Sequence, residues 1–217
     1  RIENRQDASA ALADEIESTL DRALAQQPGA NLVVSGGTSP VAFFHSWRDR
    51  DLAWTRVNVL PSDERVVPPG HPDRNDAMIE RELLVGPDAA ATLVGLLPLN
   101  ENDLNPPAFR APPFDSVILG MGDDGHTASL FPDSPTIEEA LLSAESTVRV
   151  AVPRLQAERI SLTPAALLNS RRIDLLFFGQ DKLDVFEADM DPGPVSALPV
   201  RVVLHQDHVQ VRVFWAH

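Results

Sequence analysis

The chain has 217 residues, and its 18 Lys+Arg against 32 Asp+Glu leave a formal charge of −14. That acidity argues against non-specific binding to nucleic acid or anionic membrane, both of which rely on clustered Lys/Arg. At 43 % hydrophobic and 23 % charged residues, with no cysteine, the chain is neither disordered, collagen-like nor coiled-coil, and it has no disulfide framework, thiolate metal site or cysteine nucleophile.

Leu12, Ile16, Leu20 and Leu24 recur at four-residue spacing and predict a helix over 7–27, stopped by Pro28-Gly29. Leu32-Val33-Val34 is a short strand-forming run, Pro40 to Trp47 a helix, and Val57, Val59 and Leu60 the next strand. A helix follows over 75–85, then apolar strand runs at Leu93 to Leu97 and Val117-Ile118-Leu119, separated by an irregular, proline-rich loop from Leu99 to Pro113. Val148, Val150 and Val152 alternate as a strand does, and Thr163-Pro164 has the chemistry of a helix start, opening Ala165–Leu168. Ile173 to Phe178 is almost wholly apolar, as strands covered on both faces are, and Val209, Val211, Val213 and Trp215 alternate again. Short strands separated by helices predict an α/β fold with a mainly parallel sheet. With no internal repeat and no change of composition, a single domain over 1–217 is expected. Apolar runs far below the roughly 18 residues of a membrane span, and residues 1–30 without a signal-peptide pattern, predict a cytoplasmic protein that does not engage membranes.

In open α/β sheets ligands bind beyond the carboxyl ends of the strands. Four apolar runs pass directly into polar or glycine-rich segments: Ser35-Gly36-Gly37-Thr38-Ser39-Pro40, Ser62-Asp63-Glu64-Arg65, Gly120 to Ser129, and Gly179-Gln180-Asp181-Lys182. All four are expected along one edge of the sheet. The first joins backbone N–H groups to hydroxyls ahead of a helix, which suits a phosphate. It is equally readable as a capped βα turn, and it lacks the Gly-Lys-Ser/Thr of a Walker A loop. Gly120-x-Gly122-x-x-Gly125 matches a dinucleotide fingerprint in letters. Asp123 and Asp124 inside that loop, and Pro132 soon after it, argue against a pyrophosphate there.

Of six histidines, His126 alone sits in a glycine loop at a strand's carboxyl end with acids beside it. An imidazole so placed is suited to act as a general base toward water near neutral pH. His205-x-x-His208 lacks the partners of a metal site and reads as a solvated helix end. Arg65, Arg74, Arg159 and Lys182 lie in or near the loops and would together make a local anion site, although each also has an acid next to it in sequence: Glu64, Asp73, Glu158 and Asp181.

Ser35–Pro40 (SGGTSP), Trp54 with Ser62–Pro68 (SDERVVP), Leu119–Pro132 (LGMGDDGHTASLFP), Arg159–Thr163 (RISLT), Gly179–Lys182 and Leu198-Pro199 occur in the order seen in the 6-phosphogluconolactonase family, which the chain resembles over nearly its whole length. The Leu119–Pro132 stretch is the most specific element. Glucosamine-6-phosphate deaminases are related, but carry "DEY" and "GHIAFNEP" where this chain has Asp63-Glu64-Arg65 and Gly125–Pro132. The resemblance departs at Arg74-Asn75, where the family usually has Ser-Asn.

The resemblance implies a Rossmann-like sheet with helices on both faces, of the deaminase and ribose-5-phosphate isomerase kind. It implies hydrolysis of 6-phospho-D-glucono-1,5-lactone to 6-phosphogluconate without metal or organic cofactor; a monomer or weak homo-oligomer is expected. On that reading Ser35, Gly36, Gly37, Thr38, Arg65, Arg159 and Lys182 hold the phosphate, with Arg74 an outer contributor. His126 is the base, Asp63 or Asp124 orients it or a sugar hydroxyl, and the backbone of the loop holding Gly122 and Gly125 stabilises the oxyanion. A deaminase-type enzyme and a non-catalytic sugar-phosphate sensor are the alternative readings.

Overall fold

Helix α1 (Arg5–Gln26) realises the four-residue apolar spacing. Leu12, Ile16 and Leu20 are fully buried along one face, and the Asn4 side chain caps the start by accepting the N–H of Asp7 at 2.9 Å. The structure, a computed structural model, describes residues 2–86, 90–97 and 113–217. The loop expected at 99–113 lies outside these residues except for its last position.

The further elements are β1 (Ala30–Val34), α2 (Ser39–Trp47), β2 (Val57–Pro61), β3 (Asp63–Arg65), α3 (Asn75–Glu82), β4 (Thr92–Leu93), β5 (Ser116–Leu119), α4 (Ile137–Leu142), β6 (Thr147–Val152), β7 (Ala157–Leu162), α5 (Pro164–Leu168), β8 (Arg172–Phe178), α6 (Gln180–Asp189), α7 (Arg201–Leu204) and β9 (Gln210–Ala216). Six strands form one parallel sheet in the order β4-β2-β1-β5-β8-β9. Strands β5 and β8 are buried almost throughout, as their continuous apolar runs require of central parallel strands. On one face α1, α2 and α3 pack with Leu32, Val34 and Val59 around the fully buried Phe43, Phe44 and Trp47. The other face carries Ala140 of α4, Leu167 of α5, Phe186 of α6 and Val203 of α7 against Val33, Val117, Leu119 and Leu175. The expected α/β sheet with helices on both faces is the observed architecture. No helix among the described residues is long and apolar enough to cross a membrane.

The chain moves outward from β1 through β2 to β4, then returns to the other side of β1 for β5, β8 and β9. The sheet therefore reverses its winding between β1 and β5, and a crevice opens at such a switch point beyond the carboxyl ends. The loops at 35–38 and 120–126 leave these two strands.

The structure departs from expectation at several elements. The strand expected at Leu93–Leu97 is only Thr92–Leu93, an edge that pairs with β2 alone over two residues. A second, antiparallel sheet, β3-β7-β6, stands beside the first. Of its strands only β6 shows apolar alternation; β3 is the polar Asp63-Glu64-Arg65, buried because its side chains find partners rather than because they are apolar. Finally, α6 begins directly after Gly179, whose φ of +93° turns the chain from strand to helix where a side chain would be strained.

Candidate active site

The four polar loops meet, as the strand-end rule requires, around one open cavity of about 410 Å³. Ser35, Gly36, Gly37 and Thr38 follow β1, Asp63 and Arg65 come from β3, Gly122 and His126 follow β5, Arg159 comes from β7, and Lys182 lies in the first turn of α6; all line it.

One wall is cationic. Arg65 and Arg159 are directly opposite in the antiparallel register of β3 and β7, so two guanidinium groups share one face of a small sheet. Like charges so placed repel. Burial and the neighbouring Arg65 charge both push the Arg159 guanidinium below its ordinary pKa, and Asp63 offsets this only from 4.0 Å. The Nε of Arg159 is buried and has no hydrogen-bond partner among the described residues. Arg65 is aimed by Asn75, whose Oδ1 accepts from Nη1 at 2.6 Å while its Nδ2 donates to the carbonyl of Asp63. Asn75 in turn rests on Gly36, where an added Cβ would fall 2.0 Å from its Oδ1. Beneath them Glu64, fully buried, accepts the N–H groups of Arg65, Asn75 and Asp76 at 2.7–2.9 Å. Burial pushes its carboxyl up, and the three donors partly offset that.

Lys182 donates from Nζ to the carbonyl of Met121 at 2.6 Å and stands 3.9 Å from the exposed Asp123. The backbone N–H groups of Gly36, Gly37 and Thr38 make no hydrogen bond to the described residues. The charged side-chain ends of Arg65, Arg159 and Lys182 do not pair with the acid adjacent in sequence. Arg74 is different. Its guanidinium is buried, paired with Asp76 and bonded to the carbonyl of Val67, and it does not line the cavity. The expected outer contribution of Arg74 to anion binding is corrected accordingly: the side chain fastens the loop that precedes α3.

The other wall carries His126. Its Nδ1 lies 2.5 Å from Oδ1 of Asp124, which also accepts the backbone N–H of His126 at 3.2 Å. A carboxylate at this distance only accepts, which assigns the proton to Nδ1 and leaves Nε2 as the basic atom. The imidazole is held between Gly122, where an added Cβ would fall 2.0 Å from Nδ1, and the ring of Phe131, with centroids 4.2 Å apart. The second Asp124 oxygen pairs with Arg154, which lies over Phe131 and 3.4 Å from Asp133. Burial raises the Asp124 carboxyl, but hydrogen bonds and charge from His126, and the bond from Arg154, outweigh it and hold the group well below the usual carboxylate range.

Of the two carboxylates left open by the sequence, Asp124 is the one on the imidazole. Asp63 accepts hydroxyl bonds from Ser62 at 2.9 Å and Ser129 at 2.7 Å and joins β3 to the His126 loop. The oxyanion role expected of Gly122 and Gly125 is also corrected. The N–H of Gly122 is spent on the carbonyl of His126 and that of Gly125 on the carbonyl of Gly122. Gly122 instead makes room for the ring, and Gly125, at φ +72°, lies against Leu198.

The sequence reading missed Arg154 and gave Asn75 no role. Arg154 arrives on a short 3-10 turn, Pro153–Leu155, between β6 and β7, 30 residues from its carboxylate, and no local pattern marks it.

Residues 3–215 match the profile of the family described as glucosamine-6-phosphate isomerases/6-phosphogluconolactonase. A 6-phosphogluconolactonase of Pseudomonas putida is 37 % identical over 95 % of this chain and 88 % of its own. The crystal structure of a 6-phosphogluconolactonase from Shewanella baltica superposes with a TM-score of 0.94 at 33 % identity, covering 100 % of this chain and 96 % of that one. A monomeric glucosamine-6-phosphate deaminase, at 15 % identity and a TM-score of 0.74 over 100 % of this chain and 95 % of its own, shares the fold. With its parallel sheet, its switch-point cavity and these likenesses taken together, the chain belongs to the glucosamine-6-phosphate isomerase/6-phosphogluconolactonase family.

Proposed function

We propose that the chain hydrolyses 6-phospho-D-glucono-1,5-lactone to 6-phosphogluconate, with His126 as the general base. The observation that carries the reading is that one cavity has an anion cradle on one wall and an Asp–His pair on the other. The relatives' names supply the substrate class, and the residues supply the division of labour.

The substrate is a strained cyclic ester tethered to a phosphate dianion. Arg65, Arg159, Lys182 and the uncommitted N–H groups of Gly36, Gly37 and Thr38 take the phosphate, and the repulsion between the two arginines is relieved when a dianion joins them. Anchoring this remote group converts binding energy into orientation of C1. Nε2 of His126 then removes a proton from water as the oxygen bonds to C1. Asp124 keeps the ring in the required tautomer and balances the charge it gains. The tetrahedral adduct collapses by breaking the bond between C1 and the ring oxygen. The imidazolium returns its proton to that oxygen, which becomes the sugar hydroxyl, and the new carboxylic acid ionises.

A direct assay tests this. Glucose-6-phosphate dehydrogenase generates fresh lactone, and its disappearance is followed with and without the protein, beside an assay for ammonia released from glucosamine 6-phosphate. Accelerated lactone loss without ammonia is expected. Ammonia release without lactone hydrolysis would assign the cavity to deamination, and binding of sugar phosphate with neither reaction would make it a sensor.

A further inference from the structure

The opposite, amino-terminal edge of the parallel sheet opens onto a second cavity of about 340 Å³. It lies between the last two turns of α1 and the residues that enter β5, β8 and β9, and four arginines line it: Arg22, Arg171, Arg172 and Arg212. Three carboxylates stand among them. Asp174 takes Nε and Nη2 of Arg172 at 2.7–3.0 Å, and Glu15 bridges Arg172 and Arg212 at 2.7 Å each. Asp115 accepts the N–H of Asn31 and the Gln27 amide at 2.8 Å, with Nε of Arg171 at 3.3 Å.

These bonds account for Arg172, which is buried, but not for the other three arginines. Arg22 donates only to the carbonyl of Ser18 and the hydroxyl of Thr19 and has no ion pair among the described residues. Among the described residues, Arg171, its side chain 57 % exposed, pairs with Asp115 through Nε, and Arg212, 40 % exposed, pairs with Glu15 through Nη1. Asp115 is 1 % exposed and occupied by its three donors, so it does not neutralise them further. Among the described residues, four guanidinium groups against three committed carboxylates leave a positive concavity on a molecule of charge −14. The open donors come from three separate segments and converge on a space at the lower end of ligand-pocket size.

We propose that this cavity binds a small polyanion carrying at least two phosphate or carboxylate groups. Guanidinium forks match the paired oxygens of such groups, which point charges on lysine would not. The proposal does not depend on the lactonase reading, since the two cavities lie at opposite ends of β8.

Titration calorimetry at low salt with inorganic pyrophosphate, and separately with citrate, tests it. Pyrophosphate is also expected in the cradle of Arg65 and Arg159, so the wild type should show two binding events. Arg171→Ala/Arg212→Ala should weaken one of them at least tenfold and leave lactone hydrolysis unchanged, whereas Arg65→Ala/Arg159→Ala should retain that event. Binding of citrate alone at the second site would support the proposal and assign carboxylate as the preferred group. Both substituted pairs are checked for a native melting transition. Should Arg171→Ala/Arg212→Ala fail to fold, Arg22→Ala on the exposed face of α1 should weaken the same event several-fold. The proposal falls if neither probe binds the Arg65→Ala/Arg159→Ala protein, or if substitutions at Arg171, Arg212 and Arg22 leave binding to it unaltered.

Discussion

At the scale of single residues the chemistry turns on the 2.5 Å contact between Asp124 and His126. Replacing His126 by Ala should lower turnover by on the order of 10²–10⁴, the usual scale for losing a general base, while KM for the phosphorylated lactone stays nearly constant. Steady-state kinetics on the folded variant check this, and near-normal turnover would remove His126 from the role. Asp124→Asn is as instructive. Its amide can donate to Nδ1, which would place the imidazole proton on Nε2 and leave no base facing the cavity. A fall in kcat of similar order without a rise in KM is expected, the pattern of a positioning residue. His126 was readable from the sequence because its glycine loop follows an apolar strand. The choice between Asp63 and Asp124 was not, because both acids sit at strand ends and only the loop's path decides which one reaches the ring. Arg154 was invisible for a related reason: it is recruited across the gap between two sheets.

At the scale of elements, the small antiparallel sheet brings Arg65 and Arg159 face to face and holds Arg154 over Phe131 and against Asp124. Its strand β3 was illegible as a strand since Asp63-Glu64-Arg65 has no apolar alternation and is held by hydrogen bonds instead. The parallel strands were legible because burial on both faces leaves uninterrupted apolar runs such as Ile173–Phe178. The loop after β1 illustrates how packing adds meaning to a weak motif. Gly36 is required there because Asn75 occupies the space of its Cβ. Gly36→Ala should displace Asn75, release Arg65 and raise KM for the phosphorylated lactone about tenfold or more, with a smaller change in kcat. Equal KM values for the two proteins would show that Arg65 needs no such guide.

At the scale of the whole molecule, two carboxyl groups pull stability in opposite directions with pH. Asp124, held well below the ordinary carboxylate range, contributes stability that is present above the usual Asp pKa and lost on acidification. Asp189 is fully buried at the end of α6, and its oxygens have no hydrogen-bond partner among the described residues. Burial pushes it up to about 6, and the charges of Arg201 and His205 only partly counter that. The native state therefore holds the Asp189 proton to higher pH than the unfolded chain does, and stability falls as pH rises from about 4 through 6. Asp189→Asn should remove this loss. Its stability relative to wild type, by urea denaturation, should improve between pH 4 and pH 8 by up to about 3 kcal/mol. A difference independent of pH would show that Asp189 ionises without penalty.

Lys182 is the single lysine of the sequence, and it stands in the wall of the 410 Å³ cavity. Apart from the α-amino group, the molecule thus offers amine-directed reagents one side chain, so covalent tagging would report occupancy directly. A bound sugar phosphate should shield the ε-amino group, and mass spectrometry of the tagged chain would count filled molecules one by one, with no turnover needed.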